Sequence, residues 1–282
     1  MSLETVDIDD IVDGYDALLL DAYGVLVHSR GPLPGAREFL ARLEESTTDY
    51  LVITNDASRL PETCSTRYAD DGLSIDADRI LTSGLLVVPH LKDRGIDGGP
   101  VCVLGTADSG AYLTRAGYEL VEPGDDRAQA VVLCDEAGYD FVPAIEKTLS
   151  MLVRAADKGR HVELVCPNPD RLYPSGPGSV GFTGGAVAAL IEDALNARHF
   201  DDAAQFARLG KPHPALFERA VERLGTTHIA MIGDQLSTDI KGANDFGIDS
   251  ILVTGGLTRA EAVRDEMEIQ PTYITTSLGG VG

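Results

Sequence analysis

The sequence predicts an α/β protein: a Rossmann-like parallel sheet core with a second α/β domain inserted into it. Three observations carry that expectation. Short, continuously apolar, β-rich runs alternate with helix-patterned segments, the signature of βαβ units whose sheet is covered on both faces. The chain has 282 residues, 44% of them hydrophobic, which suits one large or two modest domains with real cores. The segments richest in reactive side chains each follow a strand, and a long stretch without such segments separates the second from the third.

The first strand, 17–20, is Ala-Leu-Leu-Leu and stops at Asp21, far short of the roughly 18 apolar residues of a membrane helix. Further strands are expected at 50–54, 101–104, 130–134, 161–165, 228–232 and 250–254. Helices are expected at 35–45, 59–71, 143–158, 185–197, 214–224, 237–246 and 259–267. The Pro- and Gly-rich piece 167–178 reads as ordered loop. No tandem repeat or low-complexity segment stands out.

Charge narrows the partners. There are 45 acidic and 23 basic residues, a net charge of −22. Neutralising phosphates needs clustered Lys and Arg, so a nucleic-acid partner is not expected, nor is an anionic membrane surface. The acidic start Glu4-Thr5-Val6-Asp7 lacks the basic and apolar regions of a signal peptide, so a cytoplasmic location is expected. Cys64, Cys102, Cys134 and Cys166 form no CxxC pair, and three lie in or beside apolar runs; buried free thiols are the expected state.

Four strand-end segments carry the chemistry. In open α/β sheets the ligand crevice lies at the carboxyl ends of the strands, so residues far apart in sequence can converge there. The first is Asp21-Ala22-Tyr23-Gly24-Val25-Leu26. Asp21 suits a covalent nucleophile, although an Asp that only hydrogen-bonds the turn backbone is the commoner occupant of such a position. The second is Thr54-Asn55-Asp56, whose hydroxyl and amide can donate to phosphate oxygens or merely form a turn. Third, Lys211 in Gly210-Lys211-Pro212 is a fixed cation or a solvated loop residue. The fourth, Gly233 through Asp239, puts Asp234 and Asp239 where two hard oxygen donors suit Mg²⁺, or where acids cap a helix.

Together, in this order, the segments resemble the haloacid dehalogenase (HAD) superfamily of aspartate-nucleophile hydrolases. Asp21-x-Tyr23-Gly24-Val25-Leu26 looks like the first motif, Thr54-Asn55 the second, Lys211 the third, and Gly233-Asp234 through Asp239 the fourth. The distance from Thr54 to Lys211 far exceeds one crossover, so an inserted domain is expected at about 91–206, with a discontinuous core of 1–90 and 207–282. That placement resembles the type IIA branch, NagD-like and p-nitrophenylphosphatase-like, and implies the HAD fold with a type C2 cap domain. Asn168-Pro169-Asp170 resembles that branch's cap loop and makes Asn168 a substrate-binding candidate.

The resemblance implies a phosphatase acting on a small phosphorylated metabolite through an aspartyl-phosphate on Asp21. Mg²⁺ would be held by Asp21, the main-chain carbonyl of Tyr23, and Asp234, with support from Asp239. Thr54, Asn55 and Lys211 would hold the phosphoryl group. The branch also implies a possible homodimer. Phosphatases of the superfamily usually carry a second Asp two residues after the nucleophile, as general acid and base; here that position is Tyr23, which implies slow turnover of alkyl phosphates. Two alternatives stay open: a metal-independent 2-haloacid dehalogenase, whose first motif Asp21-Ala22-Tyr23-Gly24 also resembles, and a non-catalytic phospholigand-binding protein.

Overall fold

The computed structural model describes residues 4–28, 31–176, 179–198, 204–254 and 268–279. The chain divides into two compact units. One comprises Met1–Thr54, Pro61–Leu81 and Lys211–Gly282; the other comprises Asn55–Leu60 and Thr82–Gly210. The segment 91–206, expected as the insert, lies within the second unit.

The first unit is built on a seven-stranded sheet. Its order is Glu4–Thr5, Tyr273–Thr275, Asp249–Val253, Ile229–Gly233, Ala17–Leu20, Asp49–Thr54, Ile80–Thr82. The Ala17–Leu20 strand is buried along its whole length, because parallel neighbours flank it on both sides. From it the chain builds outward first through Asp49–Thr54, then returns to the other side with Ile229–Gly233. That reversal makes the carboxyl end of Ala17–Leu20 a topological switch point, where α/β sheets open a crevice. Register brings the relevant residues level: Leu20 pairs with Ile232 on one side and Val52 on the other, so Asp21, Gly233 and Ile53 follow at the same height.

The core beneath is aliphatic, with Leu18, Leu20, Val52 and Ile232 from the strands and Phe39, Leu40 and Leu43 from the Ala36–Glu45 helix. Each such side chain contributes about 1.5–3 kcal/mol when fully buried. Ala215–Leu224 buries Leu216, Phe217 and Ala220 at helical spacing and stops at Gly225, whose φ of 70° ends the helix in the left-handed region.

The second unit has its own five-stranded sheet, wholly parallel, in the order Ala207–Arg208, Glu163–Cys166, Ala130–Leu133, Gly99–Leu104, Tyr118–Val121. Phe141–Asp157 and Gly184–Asn196 pack Ile145, Met151, Val187 and Ile191 into a core with Val131 and Leu133. Both sheets are parallel and helix-covered, so the α/β class and the second α/β body expected from sequence are present.

The differences are instructive. The 237–246 helix is in fact a π-helical turn, Leu236–Ile240, followed by Lys241–Phe246. Part of the expected 167–178 loop is a strand, Leu172–Gly176, paired antiparallel with Ser179–Phe182. Pro174, Gly176 and Gly181, within the two strands, masked the hairpin's strand character. The expected 259–267 helix lies outside the described residues. All four cysteines are free and buried. No helix among the described residues is long and apolar enough to cross a membrane.

Candidate active site

Asp21 leaves the end of its strand with its N–H donating to the Ile232 carbonyl at 2.9 Å, so the adjacent strand fixes the backbone there. The turn that follows needs Gly24. Its φ is 100°, and a Cβ at that position would lie 2.2 Å from Asp234 Oδ2. Gly233 is equally constrained, since its Cβ would fall 2.2 Å from that of Asp239. Two glycines thus let two acidic side chains approach the backbone turns on either side of them.

Asp21, Asp234 and Asp239 are all buried, and one carboxylate oxygen from each lies within 4.8 Å of the others. Lys211 enters from the start of the next segment, after which the Lys211-Pro212 peptide bond is cis. Its Nζ donates to Asp21 Oδ1 at 2.7 Å and to the Ile53 carbonyl at 3.0 Å, and lies 2.7 Å from Asp239 Oδ1. Asp239 Oδ2 accepts the Gln235 N–H at 3.1 Å, so both its oxygens are engaged. The turn places it so: the Asp239 N–H donates to the Gln235 carbonyl at 3.1 Å, which brings Asp239 back over Gln235, and the Ile240 N–H reaches the same carbonyl at 3.2 Å.

The electrostatics follow from burial. Desolvation pushes the Asp21 carboxyl well above the usual carboxylate range; the Lys211 ammonium opposes that shift, and the Asp239 charge adds to it. Burial alone would lower Lys211, but the Asp21 and Asp239 carboxylates outweigh it and raise the ammonium above its ordinary value. Two buried carboxylates, Asp21 and Asp239, share the Lys211 ammonium, and Asp234 lies beside them. Fully ionised, the cluster carries two uncompensated negative charges in a dry interior, which is unfavourable without a further cation. An all-oxygen donor set with that deficit fits a hard divalent ion such as Mg²⁺.

Of the residues expected from sequence, Asp21, Lys211, Asp234 and Asp239 come together in the first unit. Thr54 is buried at the end of the strand neighbouring Ala17–Leu20. Tyr23 is half-buried, with its ring packed against the aliphatic core and its backbone bridged to Val27. Asn55 and Asn168 belong to the second unit. There the Asn168 side chain accepts the Asp170 N–H at 3.1 Å, closing a local turn, and Asn55 Nδ2 donates to Asp170 Oδ1 at 3.0 Å. Asn168 therefore shapes the loop that lets Asp170 hold Asn55. Sequence reasoning passed over Asp170 and the Ile53 carbonyl; the first was visible only as part of a loop motif, and the second is main chain, which carries no residue signature.

Comparison with known proteins agrees with this geometry. A haloacid dehalogenase-like hydrolase family model matches residues 18–119, and a second HAD-like hydrolase model matches 208–281. A dihydroxyacetone phosphatase from Corynebacterium glutamicum is 30% identical over 262 residues, covering 92% of this chain and 88% of that protein. A crystal structure described as a possible sugar phosphatase of the HAD superfamily, from Cytophaga hutchinsonii, superposes with a TM-score of 0.86 at 32% identity and covers 99% of both chains. The glycerol phosphate phosphatase Rv1692 from Mycobacterium tuberculosis, solved in complex with magnesium, gives a TM-score of 0.79 at 26% identity over 98% of this chain and 78% of that one. By matched models, identity and superposed fold, the chain belongs to the haloacid dehalogenase-like hydrolase family, among its type IIA-capped phosphatases.

Proposed function

We propose that the protein hydrolyses the phosphate ester of a small metabolite of the sugar or triose class, with Asp21 as nucleophile and Mg²⁺ as the required ion. The observation that carries this reading is the buried trio Asp21, Asp234 and Asp239, two of whose members pair with the Lys211 ammonium. Relatives described as dihydroxyacetone, acid sugar and glycerol phosphate phosphatases favour a short polyol phosphate.

Lys211 holds Asp21 Oδ1, which fixes the rotamer and presents the carboxylate toward the crevice. A carboxylate oxygen of Asp21 attacks phosphorus, the P–O bond to the leaving alcohol breaks, and the oxygen takes up a proton as it departs. Water then attacks the acyl phosphate, releasing inorganic phosphate and regenerating Asp21. Asp21, the Tyr23 carbonyl and Asp234 would hold Mg²⁺, which would supply charge neutralisation to the buried carboxylates and the phosphoryl oxygens. Thr54 donates its hydroxyl to the phosphoryl group. Asp239 is a positioning residue, because its oxygens are committed to Lys211 and to the Gln235 N–H.

Tyr23 stands where phosphatases of the superfamily usually carry the proton-donating Asp, so that position offers the leaving group no carboxyl. Leaving groups that need a proton are the slow substrates, and aryl phosphates the fast ones. A metal-independent dehalogenase is less compatible with Asp234 and Asp239 buried beside Asp21, where their charge has no function to offset its cost.

The test is phosphate release from a panel of polyol and aryl phosphates, with Asp21→Asn as the blank. Release that depends on Mg²⁺ and vanishes in Asp21→Asn is expected. Equal rates for the variant, or full activity in EDTA, would overturn the reading.

A further inference from the structure

The second unit has a topological switch point of its own. From Gly99–Leu104 the chain passes to Tyr118–Val121 on one side and then to Ala130–Leu133 on the other, so a crevice is expected beyond the carboxyl end of Gly99–Leu104. A cavity of about 540 Å³ lies there, a size that suits a small organic ligand. It is lined by the turn after that strand, by the end of Tyr118–Val121, and by the segment that opens the Phe141–Asp157 helix. The lining lies wholly in the second unit, whereas the Asp21 cluster belongs to the first. Small residues open the hollow. Val101 pairs with Leu120, so Val103 and Leu120 stand on the same side of the sheet. The Ala107–Thr114 helix brings Gly110 to that side, so close that a Cβ would come within 2.8 Å of Leu120 Cδ1. Val103 is left half-buried on a strand with neighbours on both sides, and Leu120 is 41% exposed. Three charged side chains line the cavity, Glu122, Asp140 and Lys147, and none makes a hydrogen bond or ion pair among the described residues.

Position identifies the ligand class. Where parallel sheets of this kind bind nucleotides, glycines of the first strand-to-helix turn give the ligand room, and an acid ending the second strand takes the ribose hydroxyls. Gly105 and Gly110 hold the corresponding places here, and Glu122 directly follows Tyr118–Val121; all three line the cavity. The two oxygens of a free carboxylate can accept the paired 2′ and 3′ hydroxyls of a ribose together. Leu120, Val121, Pro123 and the Tyr139 ring give a base apolar surface to lie on. Phosphates are disfavoured. Ala107 stands where the second glycine of such turns lets the main chain approach a pyrophosphate, and Asp108 puts a negative charge in the first turn of the helix. Glu122 and Asp140 outnumber Lys147 around the cavity. The matching ligand is a nucleoside that carries no phosphate.

We propose that the crevice of the second unit binds a nucleoside, with Glu122 accepting the ribose diol. Adenosine is the probe, titrated by calorimetry into the full chain, and saturable binding is expected. 2′,3′-Dideoxyadenosine, which lacks the diol, and the Glu122→Gln variant should each show affinity lower by at least about tenfold, the effect of losing hydrogen bonds to a charged group. Glu122 is exposed, so the variant should keep the wild-type circular dichroism spectrum. The dideoxy comparison reads the same contact on the wild type, should the variant not fold. Asp21→Asn should bind adenosine as the wild type does, and ribose alone should bind far more weakly. No binding of adenosine by the wild type overturns the proposal, as does dideoxyadenosine or Glu122→Gln matching the reference affinity. Loss of binding in Asp21→Asn overturns it in favour of the first unit, and ribose as tight as adenosine overturns it in favour of a simple polyol site.

Discussion

Asp234 illustrates the conflict inside the first unit: it is fully buried, acidic, and pressed against the Gly24 turn. Folding with no divalent ion present forces three carboxylates together against one ammonium. Asp234→Asn should therefore raise the melting temperature in EDTA while abolishing the stabilisation that Mg²⁺ gives the wild type. For the wild type, Mg²⁺ at about a hundred times its dissociation constant should add about 2.7 kcal/mol. Calorimetry with and without the ion checks both. Lys211→Met should cost about 3–5 kcal/mol, because it leaves buried charge uncompensated. Tyr23→Asp should speed alkyl phosphate hydrolysis by about 10²–10⁴ if a positioned acid is what is lacking. It should also cost some stability, since the ring it removes packs on the core. Asp21, Lys211 and Asp234 were readable because each ends an apolar run or sits beside Gly or Pro, and Asp239 because it lies five residues after Asp234. What Asp239 does was not readable, because its partners are an ammonium far away in sequence and a backbone N–H.

At the scale of elements, the strands were the most legible part, since parallel strands buried on both faces are continuous apolar runs. The π-helical turn was not, because Ser237 to Phe246 has ordinary helical composition and the widened turn is a matter of main-chain bonding, the Ile240 N–H donating to the Gln235 carbonyl. The Gly24 turn is a sharp test: Gly24→Ala should destabilise by about 1–3 kcal/mol and weaken Mg²⁺ binding, because the methyl group meets Asp234 and the backbone is left-handed. Melting curves and metal titration read the two effects separately. In the second unit, the buried Glu163 at the head of its strand has His90 Nε2 at 2.9 Å, His161 Nε2 at 3.0 Å and the Arg94 guanidinium at 3.3 Å. Burial would raise its carboxyl, but these three partners prevail and hold it below the ordinary value. A lowered native pKa contributes stability above the unfolded value, about 4.5, and that contribution fades as pH falls below it. Glu163→Gln should be less stable at neutral pH and less sensitive to acid below pH ~4.5; a stability–pH profile of the two proteins decides.

For the whole molecule the dominant fact is the net charge of −22. Composition declared it, along with the partners it disfavours, whereas the boundary between the units was less legible. Residues 55–60 fold with the second unit although they directly follow a strand of the first. The reason is local: the Ala57 and Ser58 carbonyls accept hydrogen bonds from Ser109 and Thr106, and the Leu60 N–H donates to Asp108. No pattern in 55–60 announces those partners. The four cysteines offer a practical consequence. All are packed inside, and burial pushes the Cys102 and Cys166 thiols up to about 12 and raises Cys134 as well, so these three resist thiolate formation and all four are shielded from a reagent in solution. A single cysteine introduced on the solvent side would therefore be the one address at which a maleimide dye reacts promptly, and the native sequence can be fluorescently tagged without first stripping out its own sulfur.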